Sequence, residues 1–412
     1  MVLQPPETPQ LSFRSIVEHY PALAWFLAAR FLSATAIQAQ NVAIGWLVYD
    51  LTRDPLALGI VGLLTFLPAV LLALVTGHVA DRYDRRVVMV ISYLLTAVTA
   101  GGFWFAARDP GTPISVVYAL VLAFGATRAF ANPAGQALLP NLVPAGELAR
   151  AVSLGSITWQ IATIAGPAAG GLLYAFAGTG VFATVAGAFV VTACLFLAVR
   201  PRAGRAARQP HEEGLLAGLR FVRSNRVIFG AISLDLFAVL LGGATALMPV
   251  YARDILDVGP EGLGLLRSAP SVGALAAAAA LTRWPLERRA GVRMFQGVAV
   301  FGLATIGFGV STSLWLSLAF LCVLGAADMV SVVVRQTLVQ LETPDAMRGR
   351  VSAVNSVFIG ASNELGEFES GVAAALVGTV PAVVIGGVGT LAVAALWARW
   401  FPELRERDGL VR

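Results

Sequence analysis

Apolar residues recur in twelve long runs along the chain, and short polar segments separate these runs. Two of the runs, 56–76 and 181–199, carry no charged residue, and at roughly 20 residues each is long enough to cross a bilayer as a helix. We number the predicted spans 1 to 12, along residues 21–49, 56–77, 88–107, 114–139, 151–176, 180–199, 226–250, 263–283, 293–310, 313–341, 350–377 and 380–401. The pattern predicts an all-α membrane protein with twelve transmembrane helices.

The longest interior polar segment, residues 200–225, divides the spans into two groups of six. Its Pro, Arg and Gly content is typical of a linker. We therefore expect six-helix bundles at 21–199 and 226–401, with an N-terminal segment at 1–20 and a tail at 402–412. Within the linker, Leu215, Leu216, Leu219 and Val222 repeat at helical spacing, with Arg220 and Arg223 between them. This spacing predicts a short amphipathic helix on the membrane surface, and a flexible basic linker is the alternative.

The two halves of the sequence resemble each other weakly. A shift of 200 positions aligns Gly125-Ala126 with Gly325-Ala326, Gln136 with Gln336, Pro144 with Pro344 and Arg150 with Arg350. Duplicated six-span halves that bind a ligand near the middle of the bilayer are typical of secondary transporters. Chance identities in a chain rich in Gly and Ala are the alternative explanation.

The positive charges are distributed unequally between the two sides of the predicted bundle. All 29 basic residues are arginines. The side that carries both termini holds 22 of them, and the opposite loops hold Arg53, Arg108 and Arg253. We call these the arginine-rich side and the arginine-poor side. The positive-inside rule predicts that the arginine-rich side is cytoplasmic, so the formal net charge of +5 reflects topology and does not indicate nucleic-acid binding.

Several classes of chemistry are excluded by composition. Only 13% of the residues are charged, against about a quarter in soluble domains. Without lysine, the chain has neither a phosphate-loop lysine nor a Schiff-base lysine. Its three histidines and two cysteines are scattered, without the spacing of metal ligands or a disulfide framework. We therefore expect no enzymatic activity, no cofactor and no metal, and any energy for work must come from a partner subunit or from an ion gradient.

A dense charge cluster, GHVADRYDRRVV, connects spans 2 and 3. Gly77 is expected to let neighbouring helices approach closely. Asp81 is expected near the start of span 3, where a carboxylate stabilises the positive helix end. Arg82, Arg85 and Arg86 are expected to bridge to acidic groups on a neighbouring helix end. Contacts of this kind can break and re-form, which predicts a conformational latch; simple anchoring of the topology is the alternative.

Two motifs in the first half resemble signatures of the major facilitator superfamily. The pattern Gly77-x-x-x-Asp81-Arg82-x-x-Arg85-Arg86 resembles the superfamily signature between helices two and three. The stretch GPAAGG in span 5 resembles the Gly-Pro-x-x-Gly-Gly motif of its antiporters. For this motif we expect a role in packing and as a hinge, carried by Gly166, Pro167, Gly170 and Gly171.

Further stretches resemble the drug-efflux branch of the superfamily, which includes the enterobactin exporters. They lie at 30–68, 132–144 and 347–366, and the resemblance extends over most of the chain. It implies two pseudo-symmetric six-helix bundles that work by alternating access. It also implies export from the cytoplasm across the inner membrane, in exchange for protons.

The superfamily fold implies that spans 1, 4, 7 and 10 line a central cavity. Ionisable groups inside a membrane are costly, so they are functional candidates by default. The substrate-cavity candidates in these spans are Arg30, Gln38, Gln40, Asn41, Arg128, Asn132, Gln136, Asp235, Asp328, Arg335 and Gln336.

Two ion pairs across this cavity are predicted from position alone. Arg128 and Asp328 are equivalent under the shift of 200 positions, so they are expected to pair and to separate when Asp328 takes a proton; a static buried pair is the alternative. Asp235 and Arg30 have similar depths and are expected to form a gate, unless both are simply polar cavity walls. Arg335 lies two turns from Asp328 on the same helix face, too far for direct contact without a bridging group.

Span 11 carries three acidic residues in the stretch NELGEFESG. Glu364 and Glu367 lie one turn apart near mid-span, and repulsion between two carboxylates in a low-dielectric setting is expected to keep one of them protonated. Glu369 is expected to point elsewhere. Contact with a wet cavity, or with arginines of other helices, is the alternative. The proton-coupling candidates are therefore Asp328, Glu364, Glu367 and Asp235.

Together these features predict a proton-coupled exporter of a hydrophobic or amphipathic small molecule, such as a drug or a siderophore. Uptake of a metabolite or lipid is the first alternative, and a transport-dead membrane sensor or scaffold is the second. The expected partners are a small-molecule substrate, protons and membrane lipids, with no nucleic acid, and the chain is expected to act as a monomer.

Overall fold

Helices make up almost all of the protein in the computed structural model, which describes residues 19–109, 111–200, 215–284, 286, 289–344 and 347–408. No β-strand occurs among these residues. The spans are Pro21–Thr52, Pro55–Leu71 continued by Ala73–Arg82, Arg85–Ala106, Ile114–Leu138, Leu148–Ala177, Gly180–Ala198, Arg226–Leu241, Gly259–Arg283, Ala290–Val310, Leu314–Glu342, Arg348–Val377 and Thr379–Trp400. The predicted all-α, twelve-helix architecture is confirmed.

Ten of these helices in the described part of the chain are long and apolar enough to cross a membrane. The other two are spans 2 and 11. Span 2 is interrupted at Leu72, whose backbone N–H still donates to the carbonyl of Pro68 at 2.9 Å. Span 11 carries the three acidic residues. Span 7 is also broken: its helix ends at Leu241, and the chain resumes after Gly242-Gly243 as short helical turns from Ala244 to Ile255.

A helix at Leu215–Ser224 lies at the arginine-rich side, between the two bundles in sequence. Its Val222 is buried beside Ile228 of span 7 and Val351 of span 11. The rest of the predicted linker, and the side chains of Leu215 and Leu216, lie outside the described residues, as do most of the predicted N-terminal segment and the last four residues of the tail. This helix packs on the second bundle, and its location on the membrane surface stays a prediction.

The most extensive contacts between the two halves are made by two pairs of helices that are related by pseudo-symmetry. Span 5 packs on span 8, and span 2 packs on span 11. At the first contact, a Cβ added to Gly264 would lie 3.1 Å from the Cα of Gly171; at the second, one added to Gly371 would lie 2.7 Å from the Cα of Gly59. Gly371 follows Gly171 by 200 positions, and Gly264 follows Gly59 by 205. The same close approach is therefore built twice, as expected of a duplicated chain.

These contacts extend from the arginine-poor side to about the middle of the helices, where Gln160 of span 5 donates to the carbonyl of Ser271 of span 8 at 3.2 Å. Further along the same helices, toward the arginine-rich side, a Cβ added to Gly155 of span 5 or to Gly360 of span 11 would meet nothing within 4 Å. Span 5 and span 11 therefore contact the opposite half at one end and diverge from it at the other. The protein is in a conformation that is closed at the arginine-poor side and open at the arginine-rich side.

A substitution at the closed contact is expected to act on the conformational equilibrium. Gly171→Val would push a branched side chain into the backbone of Pro260 and Gly264, and overpacking of this kind costs about 1–3 kcal/mol. The closed arginine-poor side should lose population by roughly tenfold, measured by the distance between spin labels on spans 5 and 8. Gly155→Val is the matched control and should leave the distances unchanged. Equal effects of the two variants would contradict this account of the closed side.

The glycine motif of span 5 serves close packing. A Cβ added to Gly166 would lie 2.6 Å from Gln38 Cβ, and one added to Gly170 would lie 2.5 Å from Ala39 Cα. These two glycines therefore fit against span 1, whereas Gly171 fits against span 8. Pro167 is accommodated within a continuous helix. The hinge role of the motif stays a prediction.

The connection between spans 2 and 3 differs from the sequence-based prediction in two respects. Asp81 lies in the last turn of span 2, and Asp84 instead caps span 3, accepting a hydrogen bond from the backbone N–H of Arg86 at 2.8 Å. The prediction was wrong because the turn falls at Tyr83-Asp84, later than the apolar pattern indicates. Gly77 meets nothing in this conformation, so close helix approach does not explain it here.

Arg85 of this connection binds backbone carbonyls and not the acidic side chains that the sequence predicted. Arg85 donates to the carbonyl of Ala137 at 2.9 Å and to that of Ala80 at 3.3 Å. It thereby ties the turn to the end of span 4 through backbone carbonyls, whereas the sequence suggested an acidic partner. The side chain of Asp81 lies outside the described part of the structure, and a latch made with Arg82 and Arg86 stays a prediction.

Candidate substrate cavity

A cavity of about 320 Å³ lies between the two halves, near the middle of the bundle. Its polar lining comes from Gln38, Asn41, Thr65 and Asn363, its charged lining from Arg128, Arg267, Glu364 and Glu367, and its apolar lining from residues that include Ile44, Leu58, Val61 and Trp159. Its volume is in the range of small-molecule sites. Since spans from both halves contribute, any movement of one half against the other changes its shape.

The four charged groups of the cavity face one another without direct pairing. Arg128 belongs to the first half, and Arg267, Glu364 and Glu367 belong to the second. Within the described residues, neither arginine forms an ion pair within 4.0 Å with either glutamate, although each glutamate lies within electrostatic range of both arginines. Arg267 Nε is buried without a hydrogen-bond partner, and Thr245 lies within hydrogen-bonding reach of Glu367. The arrangement leaves donors and acceptors available to a ligand.

Span 1 places two of the expected residues at the cavity, whereas a third lies away from it. Gln38 and Asn41 line the cavity, and Asn41 Nδ2 donates to Gln38 Oε1 at 3.4 Å. Gln40, in contrast, is fully buried, and neither of its amide atoms has a hydrogen-bond partner. Two residues along a helix correspond to a rotation of about 200°, so Gln40 faces away from the side that carries Gln38.

The predicted gate between Asp235 and Arg30 is not formed. Asp235 instead forms a buried ion pair with Arg335, and both residues belong to the second half. Arg30 lies over the ring of Trp159, with 5.9 Å between the guanidinium carbon and the ring centroid. Similar depth in the membrane did not bring Asp235 and Arg30 together, because span 7 turns Asp235 toward span 10.

The predicted pair between Arg128 and Asp328 is also absent. Arg128 faces the central cavity, whereas Asp328 borders a small separate void together with Asp235 and Ser331. The remaining candidates Asn132, Gln136 and Gln336 are exposed and lie outside the cavity lining. Equivalent positions under the internal repeat therefore do not face each other across the cavity.

A cluster of charged groups joins the two halves at the arginine-poor side. Arg253 pairs with Asp50, and Arg53 pairs with Asp254 at 3.3 Å. Tyr49 donates its hydroxyl hydrogen to Asp254. We call Asp50, Arg53, Arg253 and Asp254 the Arg–Asp clamp. Each half thus supplies one arginine and one aspartate, so the two ion pairs are reciprocal.

Sequence reasoning missed both the clamp and Arg267. Arg53 and Arg253 were counted only as loop residues, yet the dipeptide Arg-Asp occurs at 53–54 and again at 253–254, a separation of 200. That repeat was an available signal. Arg267 was visible as an arginine within an apolar span, which is a functional candidate by default, but it lies in a helix that was not expected to line the cavity.

Comparison with known proteins decides the family. Residues 19–409 match the transmembrane secretion effector family of the major facilitator superfamily. The chain belongs to this family. It is therefore a multi-pass membrane transporter with a small-molecule substrate, and it is not an enzyme.

Two curated relatives are similar over nearly the whole transporter. Enterobactin exporter EntS of Shigella boydii serotype 18 (strain CDC 3083-94 / BS512) is 26% identical over 394 residues, which cover 95% of this chain and 94% of the relative. Enterobactin exporter EntS of Escherichia coli O1:K1 / APEC is 26% identical over 396 residues, with the same coverages.

Solved structures share the fold of the transporter. A bacterial homologue of the human lysosomal transporter Spinster, in an inward-facing and unoccupied conformation, has a TM-score of 0.74 at 14% identity, covering 93% of this chain and 98% of that one. The POT family transporter PepTSo has a TM-score of 0.75 at 11% identity, covering 94% and 99%. These similarities support the twelve-helix, two-bundle architecture.

Proposed function

We propose that the protein is a proton-coupled exporter of amphipathic small molecules that carry polar or charged groups. The observation that carries this proposal is the central cavity, in which both halves present charged groups that have no direct partner. A carrier that alternates between two openings needs its binding groups at the interface of the moving halves. The relatives named enterobactin exporters support export as the direction of transport.

The lining of the cavity favours a substrate with two kinds of surface. Trp159 and the aliphatic side chains of Ile44 and Leu58 offer an apolar wall, while Arg267 and Glu367 offer a donor and an acceptor on the facing side. Binding sites that combine an apolar lining with a few oriented polar groups recognise small molecules by orientation as well as by area. Lipophilic drugs and catechol-bearing siderophores both have this character.

The proposed orientation follows from the arginines. With the arginine-rich side in the cytoplasm of the cell that makes the protein, the structure is open to the cytoplasm and closed to the outside by the Arg–Asp clamp. Substrate would enter the cavity from the cytoplasm, and the two halves would then rock to open the arginine-poor side. Protons that move inward across the inner membrane would drive the cycle.

Export in exchange for protons is expected in proteoliposomes that contain a trapped pH indicator and an imposed pH gradient. Addition of enterobactin or of ethidium should move protons in the direction opposite to the compound. Glu364→Gln combined with Glu367→Gln should reduce this movement by about tenfold or more, since each lost charge-assisted contact is worth about 1.5–3 kcal/mol. Glu369→Gln is the matched control, because Glu369 lies on the same helix outside the cavity lining.

Each alternative gives a distinct result in the same assay. Compound movement without proton movement would contradict proton coupling. Proton movement in the same direction as the compound would indicate uptake and contradict export. If neither compound is transported and neither binds the purified protein, the proposed substrate class is wrong.

A further inference from the structure

A second group of charged residues, of which Asp235 and Arg335 are buried and Asp328 is half-buried, lies inside the C-terminal bundle, apart from the substrate cavity. Asp235 of span 7 and Arg335 of span 10 form an ion pair whose side chains are only 7% and 2% exposed. Asp328 of span 10 borders the same region, at a void of about 10 Å³ that Ser331 also lines. No residue that borders this void lines the central cavity.

Asp328 is the unpaired member of this group. Within the described part of the chain, its carboxyl group has neither an ion pair within 4.0 Å nor a hydrogen bond, and the charged groups whose fields reach it are Asp235 and Arg335. Span 9 faces it with Val298 and Phe301. The charged residues of the other helices packed on span 10 lie elsewhere. Arg267 of span 8 and Glu364 and Glu367 of span 11 line the cavity, and Glu369 of span 11 borders neither the cavity nor the void. The remaining ones are near helix ends: Glu261, Arg283, Arg293, Arg348 and Arg350.

Charge balance then decides the state of Asp328. Two carboxyl groups share one guanidinium, and the arginine is always charged. A third, unbalanced charge within the membrane is costly, whereas a proton on Asp328 makes the group neutral as a whole. We propose that Asp328 is the proton-carrying residue of the transporter, at a site separate from the substrate cavity. This proposal rests on the proton coupling in the proposed function and adds where the proton binds.

Loss of the proton would change the partner of Arg335. The Nε–H of Arg335 is buried without a hydrogen-bond acceptor. Side chains on a helix point toward its N-terminus, so Arg335 extends toward Asp328, which precedes it by two turns. When the proton leaves Asp328 for solvent, the new carboxylate competes with Asp235 for the guanidinium. The ion pair between spans 7 and 10 is thereby weakened.

Span 7 connects this event to the substrate cavity. Asp235 lies about two turns before the break at Gly242-Gly243. Directly after the break, Thr245 reaches Glu367 and Ala246 lines the cavity. A weaker tether at Asp235 leaves the helix free to pivot at the break, which moves the cavity wall. Proton and substrate therefore act through the conformation of span 7 and do not compete for one carboxylate.

Infrared spectroscopy of the purified, substrate-free protein tests the proton site directly. A protonated carboxyl group absorbs apart from a carboxylate, so the difference spectrum between neutral and strongly alkaline pH reports buried acids that release protons. The experiment is carried out in a Glu364→Gln, Glu367→Gln background, which removes the two carboxyl groups of the cavity. The expected result is a protonated-carboxyl band at neutral pH that is lost when Asp328→Asn is added.

A second variant distinguishes a shared arginine from an isolated acid. Asp235→Asn removes the competitor, so Arg335 becomes the counterion of Asp328, and the band should disappear at neutral pH although Asp328 is present. Retention of the band in Asp328→Asn would overturn the assignment of the proton. Retention of the band in Asp235→Asn would show that Asp235 and Asp328 do not compete for Arg335. It would thereby overturn the proposed weakening of the ion pair between spans 7 and 10.

Two controls distinguish loss of the protonated carboxyl group from misfolding of a variant. Helix content by circular dichroism and a single peak in size-exclusion chromatography must match between each variant and its parent, and Ser331→Ala should preserve the band because it removes no carboxyl group. Because the measurement uses no transported compound, it stands even if the substrate class proposed above is wrong. Failure of the transport assay and failure of the proton site are therefore separate results.

Discussion

Exchanging the charges of Arg253 and Asp254 is expected to open the arginine-poor side and to lower transport by about tenfold or more. The double substitution Arg253→Asp, Asp254→Arg places an aspartate against Asp50 and an arginine against Arg53. Both ion pairs of the Arg–Asp clamp become repulsive at once. The pairs are partly exposed and each is worth about 0–1 kcal/mol, but the repulsion adds to the lost attraction, and a total of roughly 2 kcal/mol shifts a two-state equilibrium about thirtyfold.

Because the two ion pairs of the clamp are reciprocal, the defect can be reversed by exchanging the charges in the other half as well. Asp50→Arg, Arg53→Asp breaks the same two pairs from the other half and should give the same defect. Combining all four substitutions restores opposite charges in both pairs and should recover most of the transport. The readouts are proteoliposome flux and the distance between spin labels at the arginine-poor ends of spans 1 and 7. A quadruple variant as impaired as the doubles would show that the clamp does not close the protein through charge.

Arg267→Gln is expected to reduce transport by about a hundredfold. It removes a fixed positive charge that faces two carboxylates in the cavity, and breaking a buried charge arrangement by loss of one member costs about 3–5 kcal/mol. Arg108→Gln is the matched control, because Arg108 stacks on Trp104 at 4.6 Å, away from the cavity. Initial rates of enterobactin or ethidium transport, at matched protein levels, give the measurement.

A double-mutant cycle shows whether the Arg267→Gln defect comes from a lost balance of charges or from the loss of a substrate-binding group. If balance matters, Arg267→Gln combined with Glu367→Gln should transport better than Arg267→Gln alone, since one excess carboxylate is removed with the arginine. Coupling between contacting groups is usually 0.5–3 kcal/mol, so the expected recovery is about threefold or more. Strictly additive defects would mean that Arg267 acts independently of the glutamates.

The number of helices was predictable because each span is a long, mainly apolar run that polar segments separate from the next. The residues at which individual helices begin, break and end were less predictable. The apolar run of span 2 shows no interruption, but the helix breaks at Leu72, and the turn into span 3 falls at Asp84 rather than Asp81. Local backbone geometry at Leu72 and at the Asp84 helix cap decides these points, and neither changes the hydrophobic pattern.

The functional residues were visible one by one, but their partners were not. Asp235, Asp328 and Arg335 stood out as charges in apolar helices, yet the pairing of Asp235 with Arg335 depends on how spans 7 and 10 rotate about their axes. One sequence carries little information on that rotation. The internal repeat extends to the same contact made twice, at Gly171 and Gly371, a correspondence that only the structure revealed. It misled where it was used to place Arg128 opposite Asp328.

The balance of charges in the cavity has a consequence for the membrane voltage. Arg128 and Arg267 offset Glu364 and Glu367 when both glutamates are ionised, and the group around Asp328 is neutral when that residue carries its proton. Moving one unbalanced elementary charge through the membrane field changes the free energy by about 2.3 kcal/mol per 100 mV. In that state, the alternating carrier that we propose would reorient without a voltage barrier from these two groups. Its return step should therefore run at the same rate in polarised and depolarised cells.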